Sequence, residues 1–80
     1  MAAPFSREVL ERILEENTAE RVRFQDKKTG IIDLTTASMI MAVVRDSDAR
    51  GTELGDKVLR HCARSLGSVH NLLTLIGKHS

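Results

Sequence analysis

The chain has 80 residues, of which 41% are hydrophobic and 29% charged, and its formal net charge is +1. This length allows one domain with a small core, and the composition is that of a folded chain rather than a disordered one. Twelve basic residues nearly balance eleven acidic ones, which excludes a global electrostatic field able to hold a polyanion. We therefore expect a single domain over residues 1–80.

Several classes of protein are disfavoured by what the chain contains. Phe5 and Phe24 are its only aromatic residues, and RNA or single-strand binders commonly need more rings for stacking. We expect no RNA partner. No apolar run approaches the roughly 20 residues of a membrane span, and the N-terminus does not resemble a secretory signal. These features predict no membrane association and a cytoplasmic location.

The first helix is predicted over residues 6–17. Ser6 is a typical N-cap residue, and the apolar residues that follow it recur at helical spacing on one stripe. Asn17 and Thr18 interrupt the apolar pattern, so the helix is expected to end there.

A β-hairpin is predicted over residues 20–34. Val22 and Phe24 alternate with polar residues, which is typical of a half-buried strand. Asp26 can accept hydrogen bonds from amides of the following turn, and Gly30 is expected to adopt a positive φ before the strand returns. Because an isolated two-stranded hairpin is marginally stable, it must pack on the helices or pair with another chain.

The second helix is predicted over residues 36–46, with Thr35 or Thr36 as its cap. The apolar run from Met39 to Val44 has no polar face. It is consistent with a buried central helix or with a third, central strand. The threonines favour the helix.

Two more helices are predicted, at residues 52–66 and 68–76. Thr52 and Ser68 are candidate caps, and Gly67 is a candidate left-handed helix stop. Glu53 and Asp56 precede a lysine and an arginine by four residues, a spacing that favours exposed ion pairs. The fold class expected is therefore α+β and predominantly helical, with about four helices and one β-hairpin between helix 1 and helix 2.

Catalysis is not expected. Cys62 is on the apolar stripe of its helix, and the histidine beside it in sequence points about 100° away from it. The spacing of the possible zinc ligands, His61, Cys62, His70 and His79, does not match a zinc motif. The five glycines are scattered and do not form a phosphate-binding loop. We predict no enzymatic activity, no cofactor and no metal.

The leading hypothesis is a protein-interaction module that self-associates, as a homodimer, or binds another protein. The last helix is apolar nearly all round, and a small domain cannot enclose so many apolar side chains. The predicted interface includes this helix and the hairpin edge: Val69, Leu72, Leu75, Ile76, Arg21, Arg23 and Ile31.

The alternative hypothesis is a DNA-binding regulator. The segment from Leu59 to Lys78 resembles the helix-turn-helix of phage repressors, with Ala63 at the small position of the first helix and Gly67 at the turn. The resemblance covers a quarter of the chain. It implies that five residues face the major groove of duplex DNA: Ser68, His70, Asn71, Thr74 and Lys78. Lys57, Arg60 and Arg64 recur at helical spacing and are expected to add contacts with the DNA backbone.

Overall fold

The computed structural model describes residues 2–79, and for Thr52, Lys78 and His79 it describes the backbone alone. Within this range the chain forms four α-helices and one three-stranded sheet, so the predicted α+β, mainly helical class is confirmed. The elements in chain order are β1 (Ala3–Pro4), α1 (Arg7–Glu16), β2 (Glu20–Arg23), β3 (Thr29–Ile32), α2 (Leu34–Arg50), α3 (Thr52–Arg64) and α4 (Leu66–His79).

The first helix begins and ends as its capping residues predict. The Ser6 hydroxyl accepts a hydrogen bond from the Val9 amide at 3.3 Å, which satisfies one of the free donors of the first turn. Asn17 adopts the left-handed conformation at φ 56°, and its amide donates to the Ile13 carbonyl. Asparagine tolerates this conformation better than most residues.

The sheet contains the predicted hairpin and one strand that the sequence did not indicate. β2 and β3 are antiparallel, with Val22 opposite Gly30. β1 pairs with β2 in parallel, and α1 is the connection between them. β1 has two residues, too few for an alternating pattern, and Pro4 is tolerated there because β1 is an edge strand.

The turn of the hairpin differs from the prediction at one position. Asp26 Oδ1 accepts a hydrogen bond from the Lys28 amide at 3.0 Å, as expected. The left-handed residue is Lys27, at φ 68°, and the prediction of a positive φ at Gly30 is wrong. Gly30 lies in β3 instead, where a Cβ atom would be 3.1 Å from the side chain of Leu66. The glycine therefore allows α4 to approach the sheet.

The apolar run from Met39 to Val44 is helical, and the alternative of a central strand is wrong. α2 packs against α1, α3 and α4, so it is the central helix of the fold. Ala42 is exposed, so the helix is not buried on every side. Its buried residues recur at helical spacing: Ala37, Ile40, Met41 and Val44.

α2 is longer than predicted at both ends. Its cap is Asp33 rather than a threonine, because Asp33 Oδ1 accepts a hydrogen bond from the Thr36 amide at 2.8 Å. This bond holds the pKa of the Asp33 carboxyl below its ordinary value. The helix continues through the predicted loop to Arg50 and ends at Gly51, whose φ of 151° suits glycine.

The break between α3 and α4 is a single residue, Ser65, in an extended conformation. Ser65 Oγ accepts a hydrogen bond from the Ser68 amide at 3.1 Å, so it caps α4. The predicted stop at Gly67 and the cap at Ser68 are wrong, because both residues lie in the first turn of α4. A serine hydroxyl caps α4 as expected, but the serine is Ser65, three residues before Ser68.

The hydrophobic core lies between one face of the sheet and the helices. The buried apolar residues belong mostly to the first 44 residues of the chain: Phe5, Val9, Leu10, Ile13, Val22, Phe24, Ile32, Ala37, Ile40, Met41, Val44, Cys62 and Val69.

Among residues 2–79, no helix has both the length and the hydrophobicity that crossing a bilayer requires.

Candidate functional site

The predicted interface on α4 is divided between the core and the surface. Val69 is completely buried within the monomer, so it is not available to a partner. Leu72 and Ile76 are half-buried, and Leu75 is 53% exposed. Residues three and four apart on a helix are neighbours. Leu72, Leu75 and Ile76 therefore form one continuous surface, which we call the α4 patch.

The predicted hairpin residues lie on the outer face of the sheet. Ile31 is 63% exposed and is directly opposite Arg21 in the β2–β3 register. Arg23 is also exposed, opposite Thr29. Cross-strand partners point to the same face, so these four side chains form one exposed surface away from the core. The name hairpin edge refers below to this surface.

The outer edge of β3 has unpaired backbone groups. The Phe24 amide donates to the Lys28 carbonyl at 2.9 Å. Hydrogen-bonded pairs recur every second residue in an antiparallel ladder. The N–H and C=O groups of Thr29 and Ile31 therefore point away from β2. Within the described part of the chain no other strand pairs with this edge, which can accept an added strand.

The residues of the DNA-binding alternative are not equally accessible. His70, Asn71 and Thr74 are exposed on α4. Ser68 is half-buried, and its hydroxyl shares a hydrogen bond with Ser65 at 3.1 Å. The side chain of Lys78 lies outside the described residues. The single-residue break between α3 and α4 is also shorter than the three-to-four-residue turn of the helix-turn-helix motif.

Arg60 and Arg64 contribute to a concave surface that the sequence did not reveal. They line a cavity of about 350 Å³, which we call the basic cavity, together with Lys57, His61 and Gln25. The four residues from α3 recur at three- and four-residue intervals, so they share one face of that helix. Gln25 comes from the hairpin, and only the tertiary structure places it there.

Two backbone hydrogen bonds hold the walls of the basic cavity together. The Gln25 amide donates to the Ala63 carbonyl at 2.9 Å, and the Asp26 amide donates to the Arg64 carbonyl at 3.3 Å. These bonds satisfy carbonyls at the C-terminal end of α3 that have no partner within the helix. They also fix the hairpin turn relative to the face of α3 that bears the cations.

The cations of the basic cavity are not neutralised by carboxylates. The ion pairs expected for Lys57 and Arg60 do not form, and no described residue makes an ion pair with either of them or with Arg64. Asp56 instead accepts a hydrogen bond from Arg7 at 3.3 Å, and Arg7 also binds Asp48 at 3.0 Å. The structure therefore directs the nearest carboxylate of the helix toward α1.

A second cavity adjoins the basic cavity at Gln25, which lines both. Its volume is about 310 Å³, and most of its lining residues are apolar, so we call it the apolar cavity. Phe5 and Phe24 are both buried, and their rings stack on each other with a centroid distance of 5.6 Å. The apolar cavity is lined by Pro4, Phe5, Arg23, Phe24, Gln25 and Ala63.

Cys62 does not lie in either cavity, although its sequence neighbours His61 and Ala63 each line one. It is completely buried, and burial raises the pKa of its thiol to about 11. A neutral buried thiol is a weak nucleophile. Among the residues whose side chains are described, no three His, Cys, Asp or Glu residues approach closely enough to hold a metal ion.

Comparisons with known proteins do not assign this chain to a family. No protein-family model, curated protein or solved structure matches it at a significant level. The surfaces that bear on its function are the α4 patch, the hairpin edge and the two adjoining cavities.

Proposed function

We propose that this chain is a non-enzymatic protein-interaction module that binds a second copy of itself through the α4 patch. The observation that supports this is the 53% exposure of Leu75 beside Leu72 and Ile76, which the monomer leaves half-buried. Covering such a surface removes apolar area from water, which stabilises a complex by about 25 cal/mol per Å².

A second copy is the partner that this surface fits best. In a two-fold dimer the same patch lies on both sides of the interface, so an apolar patch is complementary to itself. The net charge of +1 causes little repulsion between two copies.

The α4 patch alone is too small for a stable dimer. A stable interface covers about 800 Å² on each partner, which is roughly a seventh of the 5262 Å² of accessible surface here. Three aliphatic side chains provide less area than this. We therefore include the hairpin edge, formed by Arg21, Arg23 and Ile31, as a second contact surface.

Size-exclusion chromatography with light scattering at micromolar concentration tests self-association. We expect a dimer for the natural chain and a monomer for Leu75→Asp, because a carboxylate in an apolar interface is costly to desolvate. His70→Asp is the matched control, since His70 is exposed about 140° around α4 from Leu75. A natural chain that is monomeric at every concentration would contradict the proposal.

The role of the hairpin edge has its own test. Ile31→Lys adds a charge at an exposed position and leaves the core untouched, so the monomer should fold normally. We expect the dimer of this variant to dissociate at a higher protein concentration than the dimer of the natural chain. An unchanged dissociation constant would remove the hairpin edge from the interface.

DNA binding through α3 and α4 is the second candidate function. It is favoured by the exposure of His70, Asn71 and Thr74 on α4 and by the unpaired guanidinium of Arg64 on α3. Asparagine can pair with adenine in the major groove, and arginine can neutralise a backbone phosphate.

Fluorescence anisotropy with a labelled DNA duplex at low salt tests this candidate. Asn71→Ala and Arg64→Ala should both weaken binding, whereas Arg45→Ala, an exposed arginine on α2, should have little effect. Absence of any anisotropy change at low salt would exclude duplex binding as the function.

A further inference from the structure

We propose that the basic cavity and the apolar cavity together bind a nucleotide, with its phosphates beside α3 and its base in the apolar cavity. This binding site is separate from the α4 patch and shares only Arg23 with the hairpin edge. Its basis is the combination of unpaired cations, adjoining volume and fixed walls in one place.

The cations of the basic cavity suit phosphate oxygens. Arginine presents a planar fork of donors that binds phosphate in a bidentate manner, and lysine adds a compact charge. Lys57 and Arg64 are seven residues apart, which is about 10 Å along a helix. A row of that length, with Arg60 between its ends, can contact more than one phosphate group. This favours a nucleoside diphosphate over a monophosphate.

No described carboxylate forms an ion pair with Lys57, Arg60 or Arg64, so these cations are available to a ligand. Arg7, Arg12 and Arg50 each bind a carboxylate, whereas no described residue makes an ion pair with Arg60 or Arg64. With a net charge of only +1, the rest of the chain does not attract anions in general. Arg21 and Arg45 also make no ion pair with any described residue, but they line neither cavity, whereas Lys57, Arg60 and Arg64 line one concave surface together.

The apolar cavity is the part of the site that we assign to the base, because a phosphate group alone does not need apolar walls. Pro4, Phe24 and Ala63 contribute apolar walls, which suit a base, and Arg23 lines the same cavity. Gln25 lines both cavities, and a glutamine amide offers donors and an acceptor for the sugar that joins the base of a nucleotide to its phosphates.

The size and rigidity of the site also fit a small ligand. The two cavities have volumes of about 350 Å³ and 310 Å³, and small-molecule sites usually measure roughly 300–1,000 Å³. The backbone bonds from Gln25 and Asp26 to the end of α3 hold the walls in place before any ligand arrives. Preorganised walls reduce the entropy lost on binding.

Isothermal titration calorimetry with ADP tests the proposal, with NMR spectra of the amide protons to locate the site. We expect ADP to shift the signals of α3 and of the hairpin turn. The double variant Arg60→Ala/Arg64→Ala should weaken ADP binding roughly tenfold or more, the usual size of a lost charged hydrogen bond. Gln25→Ala should weaken ADP binding by a smaller factor.

The double variant Arg45→Ala/Arg50→Ala is the matched control. It removes the same two charges from exposed arginines that do not line either cavity. It should bind ADP as well as the natural chain. Equal losses in both double variants would overturn the proposal, because binding would then reflect net charge alone.

Three further ligands separate the possible outcomes. Pyrophosphate should bind more weakly than ADP, and adenosine should bind more weakly still. Pyrophosphate binding as tight as that of ADP would overturn the proposal in favour of a site for phosphate alone. Binding of a DNA duplex without measurable binding of ADP would also overturn it and would favour the second candidate function.

Discussion

The two halves of this molecule have different structural roles. Among the side chains that the structure describes, residues 5–44 provide eleven of the thirteen that are apolar and buried, and α3 and α4 provide Cys62 and Val69. Six further apolar residues of the last two helices pack against this core while remaining partly exposed: Val58, Leu59, Ala63, Leu66, Leu72 and Leu73. The first half therefore supplies most of the stability. The second half presents the cations of the basic cavity, on α3, and the α4 patch, whereas the hairpin edge and five of the six residues that line the apolar cavity belong to the first half.

The largest expected effect tests this division with one substitution in each half. Leu10 is completely buried, and Leu72 is half-buried. Leu10→Ala should lower the free energy of unfolding by about 2–5 kcal/mol, the usual range for a buried leucine. Leu72→Ala should cost less than about 2 kcal/mol, because solvent already contacts the side chain. Urea titration of both variants measures the difference, and equal losses would contradict the division.

A close contact joins the two halves where α2 meets α3. A Cβ atom on Gly55 would lie 1.9 Å from Asp48 Oδ1 and 3.1 Å from the Val44 carbonyl oxygen. Gly55→Ala must therefore displace Asp48 and disturb its ion pair with Arg7. Although alanine favours helices over glycine by about 1 kcal/mol, we expect a net loss of roughly 1–3 kcal/mol from overpacking.

The Gly55→Ala prediction has a control in a double-mutant cycle. In an Asp48→Ala background the clash with the carboxylate is absent, so Gly55→Ala should cost less there than in the natural chain. Urea titration of the four proteins gives the coupling. Additive losses would show that the carboxylate does not determine the cost.

Helix caps provide a smaller and more local comparison. Ser6 caps α1 and Ser65 caps α4, each by accepting a hydrogen bond from an amide three residues later. Replacing either by alanine should cost about 1 kcal/mol. In hydrogen exchange, Ser65→Ala should accelerate amides of α4 alone, whereas Ser6→Ala should affect the whole core. Identical exchange profiles for the two variants would contradict the independence of α4.

Cys62 gives the smallest expected effect at neutral pH. Burial raises the pKa of its thiol from 9.0 to about 11. Since the folded state favours the neutral thiol, the resulting stability is fully present below pH 9 and is lost as the pH rises from 9 to about 11. Iodoacetamide should modify Cys62 slowly in the folded chain and rapidly in urea, as mass spectrometry can measure. Rapid modification of the folded chain would show that α3 opens readily.

Much of the secondary structure could be predicted because its causes are local. The Ser6 cap and the apolar spacing of α1 act within one helical turn, and the alternation around Val22 acts within one strand. Local signals failed where two similar residues compete. Asp33 rather than a threonine caps α2, and Ser65 rather than Ser68 caps α4.

The candidate sites were predicted less completely than the fold. Leu75 and Ile31 were expected at the surface of the interface, and both are exposed. Val69 has the same apolar character as Leu75 and lies on the same helix, yet it is buried because α4 turns that face toward the core. Sequence alone gives the apolar character of a residue but not the direction in which its helix is oriented.

By itself the sequence determined that α1, the hairpin and the helical character of the last two segments would form, since caps and periodicity operate between near neighbours. Only the tertiary structure decided the pairing of β1 with β2, the approach of Leu66 to Gly30 and the meeting of Gln25 with the cationic face of α3. These features join residues that are distant along the chain. Their contacts depend on how the elements pack against one shared core, and no local pattern of residues encodes that packing.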